Sequence, residues 1–356
     1  MIDILLGTLN AGWGTLYSYL SEHVVTCLIP AFFIAGAIAA FVKKDAILKY
    51  FSPDAKKSVS YGIASVSGTV LAVCSCTILP MFAGILKKGS GIGPAVTFLY
   101  AGPAINILAI VYSAKVLGLD IGIARAVSAI MLSIIIGLLM AIIFKEHDED
   151  VREAARKNPR LSTGESDRPK WVVLAFFIFL IAILLVATSQ LDIFFRLLIV
   201  YFLSMAVAFL LIYYFSRDEM TEWGYEIWDL IKKIFPILVI GTFALGMLSY
   251  FLPPETFKPF LGDNSLVANF IASVIGVILY MPTLLEVPII GTTLGYLSGN
   301  MAKGPALALL LTGPSVSLPS LLVLTRIMGA KKTGVYAALA IGFSTIAGFI
   351  FGNLVG

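Results

Sequence analysis

Two stretches of this chain carry residues that could do chemistry inside an apolar setting. The first holds Cys74-Ser75-Cys76-Thr77 followed by Pro80, and the second holds the acid Glu286 between Pro282 and Pro288 in the run LYMPTLLEVP. Thiolates are soft donors that suit Cu(I), Zn and other thiophilic centres, so Cys74 and Cys76 could hold such a solute or a soft metal ion. A carboxyl buried in apolar sequence is costly and points to proton or ion coupling, which makes Glu286 the candidate coupling residue. Two further segments are interrupted alike, at Gly102-Pro103 with Asn106 and at Gly313-Pro314 with Ser315 and Ser317. Breaks of this kind free backbone carbonyls and amides, which are tolerated at membrane depth only against protein or a wet cavity. The candidate solute-binding set is therefore Cys74, Ser75, Cys76, Thr77, Asn106, Ser315 and Ser317. The breaks fall at Pro80, Gly102, Pro103, Pro282, Pro288, Gly313 and Pro314.

The elements that position these residues are arranged as a duplication. Ile63 to Leu71 (IASVSGTVL) recurs as Ile271 to Leu279 (IASVIGVIL), a spacing of 208, and Gly93-Pro94-Ala95 recurs as Gly304-Pro305-Ala306 at 211. In the second copy Pro282 and Leu284 stand where Cys74 and Cys76 stand, so the copies differ in chemistry at the point where both are broken.

With 59% hydrophobic and 13% charged residues over 356 positions, the chain reads as a polytopic membrane protein. Its net charge of +4 is too small to mark a nucleic-acid binder. Apolar runs long enough to span lie near Val24 to Val42, Pro94 to Val111, Ile121 to Phe144, Trp171 to Ser189, Phe194 to Phe215, Ile234 to Leu252, Pro305 to Leu324 and Gly334 to Leu354. The fold expected is all-α, with about eight transmembrane helices and two re-entrant broken hairpins in an inverted-topology repeat. Of the 25 Lys and Arg, 20 fall on loops this arrangement makes cytoplasmic, leaving Lys115, Arg125, Arg196, Lys258 and Lys303 elsewhere. Residues 1–23 read as an interfacial helix rather than a signal peptide, 24–144 as the first repeat and 145–170 as a cytoplasmic linker. Residues 171–233 read as a connecting hairpin with an amphipathic stretch, and 234–356 as the second repeat. Ser58 to Lys88, basic at both ends and broken in the middle, reads as a hairpin entering from the cytoplasm, and Ser265 to Ser298 as one dipping in from outside. Three cysteines make no disulfide framework, and Cys27 is read as standing apart from the other two. His23 and His147 lie in polar flanks and read as solvated.

The segments CSCTILPMFAGILKKGSGIGPAVTFLYAGPAIN, LYMPTLLEVP, GPA and TGPS resemble the ArsP-type predicted permeases over most of the chain. That resemblance implies an eight-span permease, and members similar to it include efflux permeases for trivalent organoarsenicals. Taken together, the expectation is a multi-pass protein of the inner membrane with both termini outside the cytoplasm, exporting a small thiophilic solute with proton coupling through Glu286. It would not be an enzyme and would need no cofactor, its partners being the lipid bilayer and a small-molecule substrate. An importer or facilitator of a sulfur-containing or soft-metal species would use the same residues. A membrane thiol redox protein would instead cycle Cys74 and Cys76 between thiol and disulfide, without an obvious partner thiol.

Overall fold

A computed structural model describes residues 2–21, 28–41, 51, 55–71, 75–157, 170–187, 189, 192–251, 259–278 and 286–355. Every regular element among them is helical. In chain order the helices are α1 (Ile2–Tyr19), α2 (Ile29–Phe41), α3 (Lys57–Leu71), α4 (Ser75–Lys87), α5 (Ile92–Ala104), α6 (Ile107–Val116), α7 (Leu119–Ile143) and α8 (Lys145–Lys157). They continue as α9 (Lys170–Ala187), α10 (Ile193–Tyr214), α11 (Arg217–Phe251), α12 (Leu266–Ile278), α13 (Lys303–Thr312), α14 (Leu318–Met328) and α15 (Ala330–Val355). Between α12 and α13 a short turn of helix, Glu286–Pro288, widens into a π-turn, Ile289–Thr293.

The duplication seen in sequence reappears as a register of helix boundaries. A shift of 211 carries the first residues of α5, α6 and α7 (Ile92, Ile107, Leu119) onto those of α13, α14 and α15 (Lys303, Leu318, Ala330). The turns leading into α7 and α15 match as well. Each needs a residue with positive φ, supplied by Gly118 (φ 120°) and Gly329 (φ 88°), which lie 211 apart. Close helix packing is repeated too. A Cβ on Gly137 would stand 2.7 Å from the Gly93 carbonyl, and one on Gly348 would stand 2.7 Å from the Gly304 carbonyl. Small residues at these crossings let α5 lie against α7, and α13 against α15, nearly backbone to backbone.

Contacts at the helix ends order the bundle. At one end Asp148 Oδ1 accepts a hydrogen bond from the Ile92 amide at 2.9 Å, and His147 Nδ1 lies 3.0 Å from Lys332 Nζ. A cavity of about 210 Å³ opens there between Lys57, Tyr61, Pro94, Leu138 and Asp148. At the opposite end Lys303 pairs with Asp120 at 3.0 Å and donates to the Val355 carbonyl, while Asn264 Oδ1 accepts from the Gly304 amide. α7 therefore runs from the second end to the first and α15 from the first to the second. Ser58 to Lys88 begins and finishes at the first end, since Lys57 lines the cavity there and Ile92 bonds Asp148. Residues 265–302 begin and finish at the other, where Ala302 N donates to the Leu261 carbonyl.

Three described helices, α7, α10 and α15, are long and apolar enough to cross a membrane, and α5 with α6 would make a fourth, bent by 44° at its break. The remaining expected spans appear as shorter apolar helices or adjoin residues outside the description: α2, α9 and the pairs around the second break. Several sequence boundaries shift. The amphipathic stretch from Arg217 and the apolar run from Ile234 form one continuous 35-residue helix, α11, because no glycine pair or proline stops it and Pro236 is absorbed within it. Its polar half turns Glu226 and Asp229 toward Lys87, at 2.8 and 2.6 Å. The expected linker starts as a helix, α8, and Asp148 and His147 on it are tied to the bundle rather than solvated. α1 packs antiparallel along the end of α11, with Gly12 against Phe243 and Met247 and Gly246 against Thr15, because glycines at both crossings admit the other backbone.

Candidate functional site

Both interrupted crossings end in the interior, and their breaks touch. α5 continues through Gly102 and Pro103 and stops at Ala104, so the chain opens at Ile105-Asn106 rather than at the proline itself. α13 stops at Thr312, and Gly313-Pro314-Ser315-Val316 makes the turn before Ser317 caps α14, its hydroxyl accepting from the Ser320 amide. Proline ends a helix by removing a donor and crowding the carbonyl of the preceding turn, which explains why each opening follows a Gly-Pro pair. Across the gap Ser315 Oγ donates to the Tyr100 carbonyl at 3.4 Å, and Tyr100 Oη donates to the Leu311 carbonyl and lies 3.3 Å from Ser344 Oγ. Tyr100 and Leu311 are themselves 211 apart.

Each opening leaves a carbonyl to be satisfied, and each is satisfied by the long helix that follows. Tyr336 of α15 donates its hydroxyl to the Ser315 carbonyl at 3.1 Å. Arg125 of α7 directs Nε to the Ala104 carbonyl at 3.5 Å. Both acceptor and donor positions are 211 apart, so one structural task is done by tyrosine in one half and by arginine in the other. The arginine does more. Its Nη1 donates to Ser113 Oγ at 2.8 Å, and Ser113 in turn donates to the Ala109 carbonyl. Its Nη2 lies 2.5 Å from Glu286 Oε1, an ion pair in which both side chains are 0% exposed.

That pair is the chemical centre of the molecule. Arg125 and Glu286 are the charged side chains fully buried among the described residues. Removing two charges from water costs several kcal/mol per ion, and such a pair holds only when geometry and further hydrogen bonds compensate. Arg125 has those further bonds. Glu286 does not share them: its Oε2 meets no hydrogen-bond donor among the described residues, and it faces Gly313, whose added Cβ would lie 3.5 Å away. From Glu286 onward the described chain is helical and widens into a π-turn, while its partner stands on the 25-residue α7.

The residues expected from sequence divide into three groups. Glu286, Asn106, Ser315 and Ser317 are all buried and gathered around the two breaks. Pro80 does not break its helix, which begins at Ser75 and runs through the proline as its sixth residue, where only one turn precedes it. Pro288 ends the short helix at Glu286 and leads into the π-turn. Cys27, Cys74, His23 and Pro282 lie outside the described residues, and Ser75, Cys76 and Thr77 are described in backbone only, as the first turn of α4. Among the described residues no cluster of His, Cys, Asp or Glu could hold a metal ion. Arg125, Tyr100, Tyr336 and Ser113 were not singled out by the sequence reading. For Arg125 a signal existed, since with Arg196 it was one of two basic residues inside the expected spans and stood against the cytoplasmic bias of the others.

Comparison with known proteins places this architecture. No solved structure matches the chain. UPF0718 protein MJ0584 of Methanocaldococcus jannaschii is 42% identical over 367 residues, covering 100% of this chain and 99% of that relative. UPF0718 protein YraQ of Escherichia coli K12 is 25% identical over 323 residues, covering 90% of this chain and 74% of the relative. The model of one family, described as a predicted permease, matches residues 11–353. With nearly its whole length matched and its helices apolar enough to cross a bilayer, the chain is a multi-pass membrane protein belonging to the ArsP_1 family of predicted permeases.

Proposed function

We propose that this permease is a secondary transporter whose solute passes between the two helix breaks, and that it exports a small thiophilic solute such as a trivalent organoarsenical in exchange for protons carried by Glu286. The observation that carries the reading is the ion pair between Arg125 and Glu286, which joins the two copies at their paired breaks. A buried charge pair between two packed units is a contact that holds one arrangement and opposes another, which suits a protein that must alternate between states.

The proposal includes an inverted-topology repeat of eight spans with two re-entrant segments. The opposed run of α7 and α15, and the return of residues 58–88 and 265–302 each to its own end, support it. On this reading the end bearing Lys57, Lys87, Asp148 and Lys332 faces the cytoplasm, following the positive charge. The protein lies in the inner membrane with both termini outside, α1 starting beside Tyr250 and α15 ending beside Lys303. Cys74, Ser75, Cys76 and Thr77 belong to the solute path because they stand at the interruption of the first copy that answers to the one carrying Glu286 in the second. Asn106, Ser315 and Ser317 belong to it because they are the polar residues at the breaks.

The test is Glu286→Gln in sealed vesicles. Glutamine keeps the packing and removes the proton site. The variant should bind solute and exchange it between compartments, yet fail to accumulate it when a pH difference is imposed. Undiminished pH-driven accumulation would assign the acid to scaffold and leave an uncoupled facilitator as the better description.

A further inference from the structure

The arginine and the acid of the buried pair are not held alike, and the difference identifies a ligand. Arg125 is fixed three ways: by the seventh position of a long helix, by the Ala104 carbonyl and by the Ser113 hydroxyl, which is itself fixed to the Ala109 carbonyl. These contacts do not involve Glu286 and persist without it. Among the described residues Glu286 has one partner, Arg125, and its second oxygen meets no donor. A cation held by contacts of its own, facing a carboxylate held by that cation alone, is a site in which the carboxylate can be exchanged for another anion. The matched position in the other copy makes the point from the opposite side. Tyr336 satisfies the Ser315 carbonyl without any charge, so satisfying the break does not by itself require arginine. The charge has some other use.

We propose that Arg125 is an anion-binding residue and that the carboxylate of Glu286 occupies its site as a tethered surrogate for a small free anion. The ligand class is a small singly charged anion with a planar or linear head the size of a carboxylate, such as formate or thiocyanate. A guanidinium presents its donors in a fixed fork that matches such a head, and where no other charge is buried among the described residues an anion is the partner that balances it. Among the described residues the other hydrogen-bonding side chains at the breaks are neutral: Tyr100 from α5, Ser113 from α6, Tyr336 and Ser344 from α15. Asp120 and Lys303 are paired with each other at the end of the bundle. The inference rests on the transport reading above for its use of the site, but anion binding itself can be measured without transport.

Binding of formate and of thiocyanate would be measured by titration calorimetry on the full-length purified protein, in four forms. Glu286→Gln removes the internal competitor and should bind either anion about tenfold or more tightly than the wild type, the usual scale for one charge-assisted contact. Arg125→Lys with Glu286→Gln keeps the charge without the fork and should bind about tenfold more weakly than Glu286→Gln alone. Arg125→Gln with Glu286→Gln leaves no buried charge unpaired, so it is the variant suited to fold, and it should bind neither anion. Equal binding by Glu286→Gln and the wild type, or retained binding in the double glutamine variant, would overturn the proposal. If the expected anion binding is found but vesicles move no solute, the binding site stands and the transporter reading falls. If vesicles accumulate a neutral solute while none of the variants binds anion, the reverse holds.

Discussion

Position 125 and position 336 do one job with different side chains, and the contrast separates what the duplicated scaffold needs from what has been added to it. Both satisfy the carbonyl of the residue directly after a proline, at Ala104 and at Ser315. Tyrosine is sufficient for that in the second copy. In the first copy arginine reaches past the carbonyl to Ser113 and on to Glu286, which grows from the opposite copy. Scaffold is therefore symmetric and charge is not. The symmetric part extends to the glycine crossings at Gly93–Gly137 and Gly304–Gly348 and to the positive-φ glycines 118 and 329. The asymmetric part includes the end contact between His147 and Lys332, for which the first copy has no counterpart, since Ile121 stands 211 before Lys332.

The sharpest way to break this contrast is to remove each donor in turn. Arg125→Gln leaves Glu286 buried without its cation and should destabilise by roughly 3–5 kcal/mol, whereas Tyr336→Phe removes one neutral hydrogen bond and should cost about 1–2 kcal/mol. Thermal unfolding in detergent measures both, and equal losses would mean that the arginine is scaffold like the tyrosine. Gly137→Ala and Gly348→Ala test the symmetric side. Each added methyl meets a backbone carbonyl 2.7 Å away on the facing helix, and each should cost about 1–3 kcal/mol. A large difference between the two would show that the crossings are not equivalent.

The smallest effect concerns the contact between His147 and Lys332 at one end of the bundle. Lys332 Nζ donates to His147 Nδ1, so the ring must be neutral there. Burial, and then the charge of Lys332, hold the imidazole below its usual value of 6.5. The sign follows from linkage: as pH falls below 6.5 the unfolded chain takes up the proton before the folded one, and stability declines until the folded ring is also protonated. Melting temperature should fall modestly between neutral and mildly acidic pH in the wild type, and that decline should be shallower in His147→Gln. A decline of the same slope in the variant would place the titrating group elsewhere.

The extent to which the molecule could be read in advance follows these same lines. The class of protein, the repeated motifs and the interruptions after Gly102-Pro103 and at Gly313-Pro314 were legible because they rest on local properties: apolar run length, proline chemistry and repeated short motifs; the break expected at Pro80 was not found, since its helix runs through the proline. Glu286 was legible because a carboxyl in an apolar run is conspicuous wherever the fold places it. Arg125 was not recognised, since in sequence it sits four residues past the start of a span at Ile121 and resembles a residue near a membrane boundary. Helix boundaries were misjudged where composition changes inside one helix, as in α11, because polar and apolar halves read as two elements while the backbone hydrogen bonds continue through both.

What the sequence by itself determined is therefore the scaffold: helices, their breaks and their recurrence at a spacing of 211. Each is dictated by interactions within a few residues of itself or by comparison of the chain with itself. What only the tertiary structure decided is partnership. That Arg125 meets Glu286, 161 residues away, that Tyr100 spans to Leu311, and that Asp148 closes the start of α5 depend on how separate helices pack. No local preference encodes which carbonyl an arginine will reach once several are freed, because the free energy of burying a charge is set by the neighbours that packing brings to it.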